Sequence, residues 1–365
     1  MFGALALAIS TTVGAGVLAL PKAMSKVGFF GFLLIFFPAV GVYLLSLFIL
    51  DMLRFERKPV QLPALVADFL GERWKYLTYL SLIFSMYGAL TAYLIGFGDQ
   101  TNVLLGVEPI AASLFLFFSG TLIIYTGTRL VEKFDMPLSI LLIFFLLFMS
   151  FLNLFNFRYP LKASLPDLAS ASSFMAVSLF ALSGVNVLPE INFLAGRKAR
   201  IVVLLNTLIC TFLYLFFAVT TAGTLGEKIT ELGTKGLALY YGGGFLTIIS
   251  LFTILALFTS FIGLGLSLRH IYNFDFGFSR SLSTLLAVFP PLIIFFLSKH
   301  FHAGFLSILS LAGELTLPLF SLIVIWAYTR FVRRHGTEVP FFRFSVLFTT
   351  SFYLFLLISF LLNFV

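Results

Sequence analysis

Long apolar segments recur from one end of the chain to the other, separated by short polar stretches. An α-helix of about 20 residues crosses a hydrocarbon core about 30 Å thick, and most of these segments have that length. The run "SILLIFFLLFMSFLNLF" (139–155) is apolar on every helical face, whereas the strands of a membrane barrel alternate in polarity. We therefore predict eleven membrane-spanning helices, at residues 2–24, 28–52, 76–98, 110–128, 137–156, 171–193, 201–222, 244–268, 282–298, 303–329 and 342–363.

Two of these spans contain residues that weaken a helix. The first includes "STTVGAGVLALPKAM" (10–24) and the sixth includes "SGVNVLP" (183–189), each with a glycine five residues before a proline. Glycine and proline are common in membrane helices, so either match alone is compatible with chance. Together, at spans one and six, they favour two repeats of five helices, the second inverted because five is odd. We predict one transmembrane domain over 1–365, with repeats at 1–156 and 170–331 and an additional helix at 340–363.

The composition agrees with a membrane protein, and this changes how the net positive charge is interpreted. Of the 365 residues 60% are hydrophobic and 10% are charged, and the mean hydropathy is +1.09. A net charge of +8 would suggest a nucleic-acid partner in a soluble protein, but here 16 of the 23 Lys and Arg residues fall in loops on one side of the predicted membrane. The positive-inside rule then places the N-terminus in the cytoplasm and the C-terminus outside. We expect a multi-pass plasma-membrane protein whose partner is the lipid bilayer, with its oligomeric state open.

A helix break inside a membrane has a chemical consequence. Unwound backbone leaves N–H and C=O groups without partners, at a cost of several kcal/mol for each group that meets neither protein, water nor ligand. Exposed N–H groups favour a carboxylate, and freed carbonyls favour an ammonium group or a cation. An amino acid carries both charges. The hydroxyls of Ser10, Thr11 and Thr12 could assist, or could simply bond back to the preceding helical turn.

Four segments carry a resemblance to a known family. They are "TTVGAGVLALPKAMSKVGF" (11–29), "MYGALTAYLIGFG" (86–98), "FALSGVNVLP" (180–189) and "ALFTSFIGLGL" (256–266). Over nearly the whole chain the sequence resembles the amino acid/auxin permease family of the APC superfamily, and within it most the bacterial tyrosine and tryptophan permeases. The resemblance implies the five-plus-five fold of the leucine transporter and ion-coupled uptake of amino acids by alternating access.

The resemblance also implies a substrate site. The backbone beside the two breaks would hold the carboxylate and amino groups, while Tyr93 and Phe180 would contact the substrate side chain. The implied substrate-binding residues are Thr11, Thr12, Val13, Gly14, Ala15, Gly16, Tyr93, Phe180, Ser183, Gly184 and Val185.

The coupling ion stays open between a proton and sodium, and no other cofactor is expected. In sodium-coupled relatives a cation lies between the first and eighth spans, which corresponds here to Ser10, Val13, Ala256, Thr259 and Ser260. Proton-coupled tyrosine permeases carry a similar Thr-Ser pair. Glu314 lies near the middle of the tenth span, where an ionised carboxylate would cost about 3 kcal/mol or more unless paired or wetted. It is a candidate for proton coupling, or a structural hydrogen-bonding group.

Ser183 departs from the family pattern, because aromatic permeases tend to have a histidine there. The small serine leaves room for a bulky ligand, so we favour aromatic substrates, with a carrier of small neutral amino acids as the alternative. An intramembrane enzyme would need a nucleophile and base or a metal cluster, and the lone Cys210 and four scattered histidines provide none. A channel would not need a closed substrate site. A sensor that binds without transport would have the same binding residues.

Overall fold

A computed structural model describes residues 1–55, 61–127, 129–337 and 339–364. Arg57 and Lys58, which contribute to the predicted charge asymmetry, lie outside these residues. The described part of the chain is helical and contains no β-strand. Its α-helices are α1 (Phe2–Thr12), α2 (Leu20–Val27), α3 (Gly31–Leu34), α4 (Phe36–Met52), α5 (Leu62–Leu70), α6 (Glu72–Leu105), α7 (Pro109–Thr126), α8 (Arg129–Phe155), α9 (Leu168–Leu182), α10 (Leu188–Ala195), α11 (Ala199–Leu225), α12 (Gly233–Tyr241), α13 (Gly243–His270), α14 (Arg280–His300), α15 (Phe305–Leu311), α16 (Leu317–His335) and α17 (Phe342–Phe364).

The helices agree with a multi-pass membrane protein. Within the described residues, eight continuous helical stretches are long and apolar enough to cross a membrane, and three further apolar helices are shorter. The longest single helix, α6, has 34 residues and extends beyond the predicted span at both ends. Polar residues such as Asp99 and Gln100 continue this helix, although they end the apolar run from which the span was predicted.

Two short helices lie in stretches that the sequence assigned to polar loops. These are α5 and α12, of nine residues each. Each ends at a glycine with positive φ, Gly71 at +94° and Gly242 at +62°, a backbone region that residues with a Cβ rarely adopt. They were missed because nine residues are too few to form a membrane span.

The interrupted spans lie at the centre of the helix bundle. The helix α2 packs against α9 and α11, and α1 packs against α8, α10 and α11. Ala15, Val17 and Ala19 are fully buried, whereas Phe115, Phe118 and Leu122 on α7 are more than 60% exposed. The apolar exposed faces of the outer helices are suited to lipid, and the broken segments are enclosed by protein, as unwound backbone requires.

A buried carboxylate links α4, α11 and α16 through hydrogen bonds at one end of the bundle. Asp51, fully buried at the end of α4, accepts hydrogen bonds from Arg54 and Arg200 at 3.3 Å each and from the hydroxyl of Tyr328 at 2.8 Å. The hydroxyl of Thr337 donates to the same carboxylate at 3.1 Å. A buried charge is tolerated when it is paired and fully hydrogen-bonded in this way.

Candidate functional site

The first break follows α1. The helix ends at Thr12, Val13 is extended (φ −80°, ψ 91°) and Gly14 follows with φ −127° and ψ −168°. A 3-10 turn over Ala15–Ala19 then leads into α2. Pro21 is the second residue of α2, where its missing N–H removes no intrahelical bond.

The second break repeats this order. After α9 ends at Leu182, Ser183 is extended (φ −75°, ψ 112°) and Gly184 has φ −126° and ψ 30°. A 3-10 turn over Val185–Val187 leads into α10, whose second residue is Pro189. In both segments a glycine lies at the opening and a proline at the restart of the helix. At the second break these are the Gly184 and Pro189 of the sequence match, whereas at the first break the glycine at the opening is Gly14, two residues before the matched Gly16.

The two breaks face each other in direct contact. A Cβ placed on Gly184 would lie 2.7 Å from Oγ1 of Thr12, and one placed on Gly16 would lie 3.2 Å from the ring of Phe180. Both distances are shorter than ordinary van der Waals contacts. Glycine is therefore required at Gly184, and favoured at Gly16, for the approach of the two segments rather than for an unusual φ.

The run of three hydroxyls before the first break bonds back to its own helix. Ser10 and Thr11 donate to the carbonyl of Leu7 at 3.0 and 2.9 Å, and Thr12 donates to the carbonyl of Ala8 at 2.9 Å. Such bonds satisfy a hydroxyl hydrogen inside a helix without any ligand. The oxygen of each hydroxyl keeps acceptor capacity toward a cation or a donor.

The helix α11 supplies partners for both breaks, which sequence reasoning missed. The hydroxyl of Tyr214 lies 2.8 Å from the carbonyl oxygen of Thr12 and 3.2 Å from that of Ala181. The side-chain amide of Asn206 donates to Oγ1 of Thr12 at 3.1 Å. A polar residue in the middle of an apolar span was the only sequence signal for either side chain.

Two cavities adjoin the breaks. The smaller, of about 140 Å³, lies between the first break, the second break and α6. The larger, of about 420 Å³, extends between α1, α8 and α13, and its volume falls in the range of small-molecule sites. Thr11, Gly14, Tyr93, Asn186 and Leu264 line both cavities, so the two are adjacent.

Most of the predicted substrate residues come together at the smaller cavity. Its lining includes Thr11, Thr12, Gly14, Gly16, Tyr93, Phe180, Ser183, Gly184 and Val185. Val13 lines only the larger cavity, and Ala15 is fully buried and lines neither. Asn186 was not predicted, although it is the polar residue of "GVNVLP" and its exposed side chain faces both cavities.

The residues considered for a cation also share one location. Ser10, Val13, Ala256, Thr259 and Ser260 all line the larger cavity. Thr259 donates back to the carbonyl oxygens of Leu255 and Ala256 at 3.0 and 3.2 Å. Oγ of Ser260 lies 3.8 Å from the Cβ position of Gly14, so α13 approaches the first break here.

Over nearly its whole length the chain matches the model of one protein family. The model of the tryptophan/tyrosine permease family matches residues 1–363. The chain belongs to the tryptophan/tyrosine permease family. This family is one of permeases and not of enzymes, so the protein is a permease rather than an enzyme.

Relatives of this permease include transport proteins of Haemophilus influenzae. The chain is 24% identical to tyrosine-specific transport system 1 over 344 residues, which covers 86% of this chain and 84% of that protein. It is 26% identical to the tryptophan-specific transport protein over 350 residues, covering 86% and 83% respectively.

Two solved structures share this architecture. A mutant form of the manganese transporter of Eremococcus coleocola matches with a TM-score of 0.62 at 13% identity, over 96% of this chain and 85% of that one. The inward-facing conformation of Mhp1 matches with a TM-score of 0.60 at 14% identity, over 91% and 77%. The permease therefore shares the leucine-transporter fold of these two structures, and at 13 and 14% identity the likeness shows the fold alone.

Glu314 of the permease lies in neither of the two cavities. It occupies a π-helical turn, Ala312–Thr316, between α15 and α16, and is 7% exposed. The hydroxyl of Ser310 lies 3.2 Å from Oε1 of Glu314 and 3.0 Å from Oγ of Ser173 on α9. A Cβ on the neighbouring Gly313 would overlap the carbonyl oxygen of Ala176, so this turn is pressed against α9.

Two other carboxylates, Asp99 and Glu190, lie nearer the ends of the helices. Asp99 pairs with Lys235 of α12 at 3.4 Å, and Glu190 is exposed at the start of α10. Within the described residues no group of three or more His, Cys, Asp or Glu side chains could hold a metal ion.

Proposed function

We propose that this permease is a secondary active, ion-coupled symporter that imports an aromatic or other neutral amino acid by alternating access. The observation that carries the proposal is the pair of helix breaks facing each other across one cavity. The breaks leave backbone N–H groups and carbonyls without helical partners beside this cavity, and an α-amino acid carries both a carboxylate and an ammonium group for them to hold.

The proposed substrate site uses the residues that line the smaller cavity together with the adjoining backbone of Val13 and Ala15. N–H groups at the starts of the two 3-10 turns would hold the carboxylate, since the first N–H groups of a helical segment lack intrahelical partners. The carbonyl oxygen of Thr12 already accepts from Tyr214. The ammonium group would therefore use other carbonyls beside the breaks, such as those of Val13 and Ser183.

An aromatic side chain is favoured over a small one. The relatives described above include transport proteins named for tyrosine and for tryptophan. The space beyond Tyr93 and Asn186 continues into the larger cavity, which could accept an aromatic ring. A small neutral amino acid would leave that volume to water, so it stays the second candidate substrate class.

The full topology is part of the proposal. The pairs α1/α2 and α9/α10 would be spans one and six of eleven, and α17 would be the span added to two inverted repeats of five. The N-terminus would then lie in the cytoplasm of a plasma-membrane protein, with the C-terminus outside. The similar order of the two breaks supports this assignment.

Sodium and a proton would act at different places. Sodium would bind in the larger cavity, at Ser10, Val13, Ala256, Thr259 and Ser260. A proton would bind Glu314 and act through α9. An ionised Glu314 accepts the hydrogen of Ser310, whereas a protonated one can donate to Ser310 and turn that hydrogen toward Ser173. Protonation would thereby change how the turn at Glu314 is bonded to the helix that ends at the second break.

The test is uptake of labelled tyrosine, tryptophan, alanine and serine into proteoliposomes with an imposed proton gradient, an imposed sodium gradient or neither. We expect saturable accumulation of an aromatic substrate under one gradient. A protein that binds an amino acid but accumulates none under either gradient would be a sensor, and the transport proposal would be wrong.

Variants of Glu314, Thr259 and Ser260 then show which ion drives uptake. If protons drive uptake, Glu314→Gln should lower accumulation about tenfold or more while keeping exchange of labelled for unlabelled substrate, because the amide cannot release a proton. Glu190→Gln, an exposed carboxylate, is the matched control. If sodium drives uptake, Thr259→Val and Ser260→Ala should raise the sodium concentration that is needed, and Glu314→Gln should leave it unchanged.

A further inference from the structure

The ends of α1 and α9 share a single hydrogen-bond donor. When a helix stops inside the bundle, its last carbonyls lose their intrahelical partners. The carbonyl oxygens of Thr12 and Ala181 lie at these two ends, and the hydroxyl of Tyr214 approaches them at 2.8 and 3.2 Å. Tyr214 is fully buried, so water does not compete for its hydroxyl.

The same face of α11 makes a further bond to the first break. Asn206 lies two helical turns before Tyr214, a spacing that puts both side chains on one face. Its amide donates to Oγ1 of Thr12 at 3.1 Å, and its own oxygen lies 3.5 Å from the thiol of Cys210, one turn further on. Thr12 is thus held at both its carbonyl and its side chain.

A phenol has only one hydrogen, and two carbonyls lie within its reach. A displacement of α1 relative to α9 that lengthens one contact gives the hydrogen wholly to the other carbonyl. The two breaks are also in steric contact, since a Cβ on Gly184 would lie 2.7 Å from Oγ1 of Thr12. The separation of the two half-sites is therefore fixed by α11 and by this glycine contact.

We propose that the Asn206–Tyr214 face of α11 is a positioning element that sets the separation of the two breaks and thereby the affinity for substrate. Neither side chain lines the two cavities, so neither is assigned a contact with substrate or ion. The inference rests on the proposed function, because it takes the smaller cavity as the substrate site. It adds that the site is held by a third helix to which neither break belongs.

The test uses the full-length protein in proteoliposomes and Tyr214→Phe, which removes only the hydroxyl. We expect the Kd for labelled tyrosine or tryptophan and the KM for uptake to rise together by about tenfold, while the maximal rate per folded molecule changes less. Tyr353→Phe is the matched control, because Tyr353 on α17 is equally buried and is not bonded to Thr12 or Ala181.

A purely structural role gives a different result. If Tyr214→Phe lowers the amount of monodisperse protein but leaves Kd and KM per folded molecule unchanged, the proposal is overturned. Should this variant not fold, Asn206→Leu replaces it, with Kd expected to rise about threefold for one lost hydrogen bond. An unchanged Kd in that variant also overturns the proposal. A wild-type protein that binds no amino acid would instead refute the proposed function itself.

Discussion

The two helix breaks have the same order of elements but differ in what they offer to a ligand. At the first break Val13, Ala15 and Val17 are at most 2% exposed, and the neighbouring hydroxyls are bonded to their own helix. At the second, Ser183 is half-buried and Asn186 is exposed. Neither side chain has a hydrogen-bond partner in the described part of the chain.

Because of this difference, the two breaks are suited to recognise different parts of the substrate. A break whose hydroxyl hydrogens are already bonded offers mainly its backbone, which suits the charged groups that all amino acids share. A break with accessible, unbonded side chains can also distinguish one substrate side chain from another. We infer that the first break is the constant half of the site and the second is the half that sets substrate preference.

The largest effect is expected where the two breaks touch. Gly184→Ala places a methyl group 2.7 Å from Oγ1 of Thr12. That oxygen is held by its bonds to Ala8 and Asn206, so it cannot move away without losing one of them. We expect uptake per folded molecule to fall by about tenfold or more, since small displacements of a binding site have effects of this size.

Gly14→Ala is the matched control for this contact. Apart from its chain neighbours, its Cβ would have only Ser260 Oγ, at 3.8 Å, within 4 Å among the described residues, and Gly14 has a φ of −127° that alanine adopts freely. We expect normal yield and thermal stability of the purified protein. If both alanine variants misfold and lose uptake to the same extent, the loss in Gly184→Ala is not caused by the contact between Gly184 and Thr12.

A smaller effect is expected on selectivity at the second break. Asn186→Leu removes a polar group that faces both cavities while keeping its approximate volume. One hydrogen bond contributes about 1 kcal/mol, so the preference for tyrosine over phenylalanine should change about fivefold, in uptake competed by each amino acid. Ser267→Ala is the control, because Ser267 lines the larger cavity but bonds back to Gly263. An unaltered preference in Asn186→Leu would assign selectivity elsewhere.

Sequence alone predicted the fold to the extent that the fold depends on segment length and on glycine and proline. Apolar runs located the long helices, and "GAGVLALP" and "SGVNVLP" located both breaks. The short helices α5 and α12 escaped because they are too brief for a membrane span. Their existence depends on packing against neighbours such as α6 and α13.

For the candidate site, the sequence indicates the two unwound segments but not the helix α11 that bonds to them. Residues next to a break are obvious from the break itself, whereas Tyr214 is 202 residues from Thr12 and 33 from Ala181. Nothing local marks a tyrosine in an apolar span as the partner of two distant carbonyls. Asn186 could have been noticed, because a carboxamide in "GVNVLP" costs free energy in a membrane unless it has a polar neighbour.

The smallest effect is expected at the first break, in Thr11→Val. Thr11 is exposed toward both cavities, and its hydroxyl donates only to the carbonyl of Leu7, one turn earlier in α1. Valine keeps the shape of the side chain, and the loss of a back-bond of this kind costs a helix little. We therefore expect KM and maximal uptake within about twofold of the wild type, if the first break recognises substrate through its backbone alone.

A tenfold rise in KM would show that the hydroxyl oxygen accepts a bond from the substrate, and the division between a constant and a selective break would then be wrong. Thr12→Val measured in parallel separates the two cases, because Thr12 also accepts a bond from Asn206 and should lose affinity through α11 whichever account of Thr11 holds.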